Sequence, residues 1–310
     1  MPRKIVIDTD PGIDDAVAIL LAVASPELEV LGIAAVAGNV ALLRAERNAR
    51  AVCELAGRGD IPVYAGCSRP MGRPLVTAER VHGASGLGTL VLPEPSQAPQ
   101  AGHGVDFLIE TLLREEAGSI TLCALGPLTN IAMALVKSPK IAPRVRELVL
   151  MGGASHSLGN VTPAAEFNVH VDPHAADIVF ASGMPIVMMP LDLTYQVLST
   201  APRLERLRAL GNRCGLATAQ LLTPIPGYAG RFADGLPLHD PCVIAYLVAP
   251  ELFEGSAVNV AVETVGPLTL GMTVVDWWGV SGRAANTRVM HKIDADGFYA
   301  LLAERLARLP

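Results

Sequence analysis

The stretch DTDPGIDDA near the amino terminus places Asp8, Asp10, Asp14 and Asp15 within eight positions, directly behind the apolar run Ile5-Val6-Ile7. Neighbouring carboxylates repel one another and resist losing their water, so crowding them calls for a compensating positive charge. Helix chemistry explains part of the cluster. Aspartate is a good N-cap, and acids in a first turn favour the positive end of the helix dipole. That covers one or two of the four. Asp10 and Asp15 also bracket a Pro-Gly turn, which would fold the chain back and let both carboxylates meet one ion. Oxygen-only donors suit a hard cation, Ca²⁺ ahead of Mg²⁺, because no Cys and few His lie nearby to recruit zinc. An EF-hand is excluded, since its sixth and twelfth loop positions would hold Ile13 and Ile19. A phosphatase of the DxDxT kind would need Thr where Gly12 stands.

Two further stretches bear chemistry. PLHDPCVIAYLVAP sets His239 and Asp240 before Pro241 and an apolar helix. Asp at N-cap with Pro at N1 is an ordinary helix start. Beside an imidazole, in a chain that needs more oxygen ligands, Asp240 is also a candidate third carboxylate, and His239 a candidate acid or hydrogen-bond donor. MGGASHSLGNVTPAAEFNVHVDPHAA brings Asn160, Glu166 and Asn168 together among small residues, and amide and carboxylate groups offer donors and acceptors to the hydroxyls of a sugar. Capping of the helix after Asp172 explains Asp172-Pro173 and leaves Glu166-Phe167-Asn168 unaccounted for. His156, His170 and His174 read as structural or surface residues. His82, in ERVHGASGLG, is either a surface histidine or part of an active-site lid.

These residues need elements to carry them. Short apolar runs (KIVID, EVLGIAAVAG, SITLCAL, ELVLMGG, PIVMMPLD) alternate with helix-length amphipathic segments at 14–25, 40–57 and 128–136 and in DPHAADIVFASG. This alternation implies parallel crossovers and hence an α/β fold, a doubly wound, mostly parallel open sheet flanked by helices. Towards the carboxyl end, 211–222, 240–248 and 294–309 read as helices and 257–275 as strand-like. No separating linker is visible, so residues 1–310 are read as a single domain. Asp8 and Asp10, Gly38-Asn39, Leu125-Gly126, Met151-Gly152-Gly153 and Asp192 all fall at carboxyl ends of strands, where open α/β sheets bind ligands. The Pro/Gly-rich segment from Pro62 to Gln100 is long enough to be a functional lid.

Composition narrows the partners. The chain is 51% hydrophobic with net charge −6 and no run of Lys or Arg, so a phosphate backbone finds no electrostatic footprint and nucleic acid is not expected. No apolar run approaches the roughly 18 residues of a membrane span, and three apolar residues before Asp8 are too few for a signal peptide; a cytoplasmic protein without a membrane partner is expected. Five cysteines (53, 67, 123, 214 and 242) lack CxxC spacing and read as reduced, mostly buried thiols.

Taken together, DTDPGIDDA, VHGxxGLG at His82, LGPLTNIA at 125–132, MGG at 151–153, the GN…EFN cluster and LHDP at His239-Asp240 resemble the inosine-uridine-preferring nucleoside hydrolase family over nearly the whole chain. The resemblance implies Ca²⁺-dependent hydrolysis of the N-glycosidic bond of ribonucleosides to ribose and free base, in nucleoside catabolism and salvage. It implies that Ca²⁺ is held by Asp10, Asp15, the backbone carbonyl of Leu125 and Asp240, together with two ribose hydroxyls and a water. Asp10 would be general base toward that water. Asp14 and Asn39 would meet the ribose hydroxyls near the ion, Asn160, Glu166 and Asn168 would grip the rest of the sugar, and Met151 and Phe167 would pack against it. His239 would protonate the departing base with His82 assisting, a pattern that implies an inosine-uridine or pyrimidine preference. Thr223, Tyr228 and Arg231 are candidate base contacts, and a homodimer or homotetramer is implied. A metal-dependent phosphohydrolase would place basic residues around the acids, and these motifs contain none. A non-catalytic nucleoside- or ribose-binding protein on the same scaffold would lack Asp10 or His239, and both are present.

Overall fold

The structure is a computed structural model that describes residues 2–223 and 234–310. In chain order its strands are β1 (Arg3–Thr9), β2 (Leu28–Ala35), β3 (Val63–Ala65), β4 (Ile120–Ala124), β5 (Val145–Met151), β6 (Ile186–Met189), β7 (Leu198–Ser199), β8 (Leu236–Pro237), β9 (Phe253–Val262), β10 (Thr273–Asp276) and β11 (Thr287–Ile293). The helices are α1 (Ile13–Ala24), α2 (Leu42–Leu55), α3 (Glu79–His82), α4 (Gly104–Arg114), α5 (Thr129–Lys137), α6 (Phe167–Val171), α7 (Pro173–Phe180), α8 (Leu191–Thr194), α9 (Ala201–Arg208), α10 (Arg213–Leu221), α11 (Pro241–Val248) and α12 (Ala295–Leu306).

Nine strands form one sheet in the order β10-β9-β11-β6-β5-β4-β1-β2-β3, and β7 pairs with β8 in a small antiparallel ladder. From β3 to β11 every neighbouring pair is parallel, and β9 alone runs against the rest. The expected mostly parallel open sheet is therefore present. Strand β11, sandwiched between β6 and β9, was not anticipated; its sequence TRVMHKI mixes charged and apolar residues and hides the run. Helix α4 was likewise not anticipated. The strand-like stretch expected from 257 begins earlier, at Phe253.

Side chains alternate across each strand. Ile5 and Ile7 of β1 join a core with α1, α11 and α12 on one face, while Val6 joins the second core with α4, α5 and α7 on the other. Burial on both faces is what a parallel sheet covered by crossover helices requires. Helix α1 is apolar almost all round, and only Val23 of its twelve residues is not buried, so it sits wholly inside the protein.

Strand β1 has β4 on one side and β2 on the other, so the chain reverses its direction of winding there. The ladder continues past the strands: Leu125 N–H donates to Asp8 O at 2.8 Å and Val36 N–H to Thr9 O at 2.9 Å. Asn130, fully buried at the start of α5, ties this switch point together. Its Nδ2 donates to Asp8 Oδ2 at 2.8 Å and to Ala35 O at 3.1 Å, and its Oδ1 accepts from Cys67 N at 2.7 Å, where the 66–100 segment departs. Replacing Asn130 with Ala leaves Asp8 Oδ2 and the Cys67 N–H without their partner, while Ala35 O keeps the Gly66 N–H. Asn130→Ala is therefore expected to cost about 3 kcal/mol, read as a lowered midpoint in urea unfolding; a shift under 0.5 kcal/mol would mean the knot contributes little.

Candidate functional site

The loops after β1, β2, β4 and β5 meet above the switch point and wall a cavity of about 740 Å³. Asp14, Asn39, Leu125, Met151, Asn160, Glu166, Phe167, Asn168, His82, His239 and Asp240 all line it. Tyr228 and Arg231 lie outside the described residues, and Thr223 is not among the lining residues. The 62–100 segment contributes Val76, Thr77, Ala78, Arg80, Val81 and His82 to the cavity wall.

Asp10 and Asp15 are fully buried beneath this cavity. Asp15, in the first turn of α1, accepts from Thr9 Oγ1 at 2.5 Å, Gly12 N at 2.9 Å and Asn39 Nδ2 at 3.0 Å. The capping explanation is thus right for Asp15, whose side chain reaches back to the helix start. Asp10 Oδ2 accepts from Asn39 N at 2.6 Å, whereas its Oδ1 is buried with no hydrogen-bond partner among the described residues. Glycine is obligatory beside it. A Cβ at Gly38 would lie 2.0 Å from Asp10 Oδ2, and one at Gly126 would lie 2.4 Å from Oδ1.

Asp240 occupies the N-cap position of α11, yet its side chain makes no capping bond. It is turned instead toward the acids of the first strand: ligand atoms of Asp14, Asp15 and Asp240, all buried, lie within 4.8 Å of one another. Asp14 rather than Asp10 completes this closest trio. Burial, reinforced by the neighbouring carboxylates, pushes the pKa of Asp10, Asp15 and Asp240 above the ordinary range. Asp8, buried against Asn130, is pushed up to about 7. An orphaned carboxylate oxygen, a helix-cap aspartate that declines to cap, and donors that are all oxygen fit a hard divalent cation.

Across the cavity, Glu166 is the N-cap of α6. Its Oε1 accepts from Asn168 N at 2.8 Å, and its Oε2 from Gly153 N at 2.9 Å and Val169 N at 3.2 Å. Capping therefore explains Glu166 as well, contrary to the expectation from sequence, and leaves its carboxylate fixed at the cavity wall. Burial raises its pKa to about 7 against the pull of those three N–H donors. Asn160 Oδ1 accepts from Phe167 N at 2.9 Å, and Asn168 Nδ2 donates to the Leu125 carbonyl at 2.7 Å.

Two imidazoles complete the wall. His82 Nδ1 accepts from Ile13 N at 3.0 Å, which leaves Nε2 to carry the ring proton. His239 Nδ1 lies 2.7 Å from Thr194 Oγ1, and burial lowers its pKa, opposed by the charge of Asp14. Thr9, Thr194 and Tyr195 escaped the sequence reading; Thr9, between two acids, carried the one visible signal.

Asp192 is a correction. It does not face the cavity; its carboxylate accepts from the N–H groups of Ser155, His156 and Ser157 and organises that loop. Trp277 Nε1 donates to Ser155 Oγ and its ring stacks on His156, so it is a packing residue, while Trp278 is exposed. The cysteines are free thiols. No helix among the described residues is long and apolar enough to cross a membrane.

A carboxyl with a raised native pKa holds its proton more tightly folded than unfolded, so without a cation these acids make stability fall as pH rises above about 4. A cation competes with those protons, so its stabilisation grows in the same direction. Millimolar divalent cation is expected to raise the melting temperature more at pH 8 than at pH 5.5; an equal shift at both, or none, would speak against the carboxylate site.

The chain matches the family model described as inosine-uridine preferring nucleoside hydrolase over residues 5–300. It is 52% identical over 309 residues to an uncharacterized protein of Schizosaccharomyces pombe, covering 99% of this chain and 100% of that one. It is 47% identical over 309 residues to the pyrimidine-specific ribonucleoside hydrolase RihA of Salmonella gallinarum, covering 99% of each. Among solved structures, a purine-preferring ribonucleoside hydrolase from Gardnerella vaginalis superposes with a TM-score of 0.92 at 33% identity, covering 98% of each chain.

Proposed function

This chain belongs to the inosine-uridine preferring nucleoside hydrolase family and is a ribonucleoside hydrolase, and from that premise we propose that it is a Ca²⁺-dependent enzyme with a preference for inosine-uridine or pyrimidine nucleosides, the whole chain acting as one domain. The observation that carries the reading is the buried acid group, Asp14, Asp15 and Asp240 above Asp10, opening onto the same cavity as the two histidines.

Asp10, Asp15, Asp240 and the Leu125 carbonyl would hold the ion. Bound there, Ca²⁺ supplies Lewis acidity that lets water act as a nucleophile near neutral pH. The residues of the chain do the rest. Asp10, buried beneath the cavity with Oδ1 free of any hydrogen-bond partner among the described residues, takes the proton of the attacking water. Asp14 and Asn39 bind the ribose hydroxyls on the acid side of the cavity, and Asn160, Glu166 and Asn168 hold the remainder. Met151 and Phe167 lie against the sugar and exclude solvent from it. As the glycosidic bond lengthens, positive charge develops on the ribosyl ring, and the carboxylates of Asp14 and Glu166 stabilise it from both sides. His239 delivers the proton to the departing base from Nε2, the nitrogen that Thr194 leaves free, and the Nε2–H of His82 donates a hydrogen bond in support.

The pyrimidine preference is supported by the name of the 47% identical Salmonella relative. An oligomer, homodimer or homotetramer, in the cytoplasm is part of the same proposal. Incubation with Ca²⁺ and inosine, uridine, cytidine or adenosine, followed by a reducing-sugar assay, is expected to show ribose release, with uridine or inosine turned over fastest. In the same assay Asp10→Asn is expected to lower kcat by at least about 1,000-fold with an unchanged circular dichroism spectrum. Near-normal turnover by that variant would remove Asp10 as the base.

A further inference from the structure

We propose that Thr194 is a positioning residue for proton donation: its hydroxyl holds the His239 ring through Nδ1 so that Nε2 presents a proton to the leaving base. The inference rests on the reading of His239 as that donor.

Thr194 closes α8 and is fully buried. Its Oγ1 lies 2.7 Å from His239 Nδ1, and among the described residues the hydroxyl makes no other side-chain hydrogen bond. The backbone brings the two residues together by design of the fold. Segment 194–199 runs beside 236–238: Leu238 N–H donates to Val197 O at 2.9 Å, and β7 pairs with β8 through Leu198 opposite Pro237 and Ser199 opposite Leu236. Thr194 is thus held within hydrogen-bonding distance of the His239 ring. Tyr195 meets the same ring edge-on with centroids 5.9 Å apart, so rotation about the ring axis is restricted on a second side.

A hydroxyl is suited to this task because its oxygen can accept from Nδ1–H before and after the proton leaves Nε2. When the ring is an imidazolium, Nδ1–H donates to Thr194 Oγ1. When the base departs, it takes the electron pair of the C1′–N bond; the Nε2–H bond breaks, its proton goes to the base, and its pair stays on Nε2. The ring is then neutral and Nδ1–H still donates to Thr194. The hydroxyl orients the ring through Nδ1 and leaves Nε2 unengaged on the cavity wall.

The test compares Thr194→Val, Thr194→Ser and His239→Ala on two substrates: the nucleoside the enzyme turns over best, whose base must be protonated to leave, and 4-nitrophenyl β-D-ribofuranoside, whose phenolate leaves unprotonated. Thr194→Val is expected to lower kcat on the nucleoside about tenfold, with KM and turnover of the nitrophenyl riboside within about twofold of wild type. Thr194→Ser, which keeps the hydroxyl, is expected to restore nucleoside turnover to within about twofold. His239→Ala is expected to lose about 100-fold on the nucleoside and little on the nitrophenyl riboside. Wild-type nucleoside kcat in Thr194→Val, or equal losses on both substrates, would overturn the role of Thr194 alone, provided His239→Ala keeps its selectivity. A His239→Ala enzyme with equal losses on both substrates would overturn the donor reading and this inference together. Should Thr194→Val not fold, imidazole ¹⁵N NMR of the unmutated protein decides: a hydrogen-bonded Nδ1 at His239 is expected, and an Nδ1 free of any hydrogen bond overturns the proposal.

Discussion

Carboxylates that cannot escape one another are the constraint on which the rest of this structure depends. Asp14, Asp15 and Asp240 converge in a buried space with Asp10 close by, and at the low effective dielectric of a protein interior such charges repel far more strongly than in water. Part of the cost is met locally. Asp15 spends its oxygens on Thr9, Gly12 and Asn39, and both first-turn acids sit at the positive end of the α1 dipole. Asp10 Oδ1 and the uncapping Asp240 are what remains. Their oxygens point to a positive charge from outside, since among the described residues no Lys or Arg pairs with them. A bound divalent cation would supply it.

The fold explains how acids 225 residues apart, Asp15 and Asp240, come to share that space. Sheet topology places β1 between β2 and β4, so the loop carrying Asp10 to Asp15 opens at the point where the winding reverses. Helix α11 packs against α1, bringing Asp240 to the same end of the sheet. The opposite wall, Glu166 to Asn168, is set by the cap of α6 onto the loop after β5. One arrangement thereby gives the cavity an acidic side, a carboxylate-amide side opposite it, and two histidines in its wall.

Much of this was legible in the residues. DTDPGIDDA stood out because four acids in eight positions exceed what helix capping needs, and the strand-end positions of Asn39, Leu125 and Met151 followed from the alternation of buried runs and helices. Other features were not legible, for physical reasons. Glu166 stands in the sequence as a sugar contact with no capping role, and only the folded loop brings three backbone N–H groups onto its two oxygens. Asp192 sits at a strand end like the cavity-lining residues and differs only in the direction of its side chain. Strand β11 is central but carries Arg288, His291 and Lys292 on its exposed positions, so no apolar run marks it. Thr194 is one buried hydroxyl in an apolar segment, and nothing in its neighbours announces that it touches His239, 45 residues later.

The most direct measurement of the central claim is isothermal titration calorimetry of Ca²⁺ into chelator-stripped protein near pH 8, with Asp240→Asn as the comparison. The account predicts saturable binding of one ion per chain, lost or weakened by about 100-fold or more in the variant while its fold is retained. Absence of saturable binding, or equal affinity in the two proteins, would contradict it.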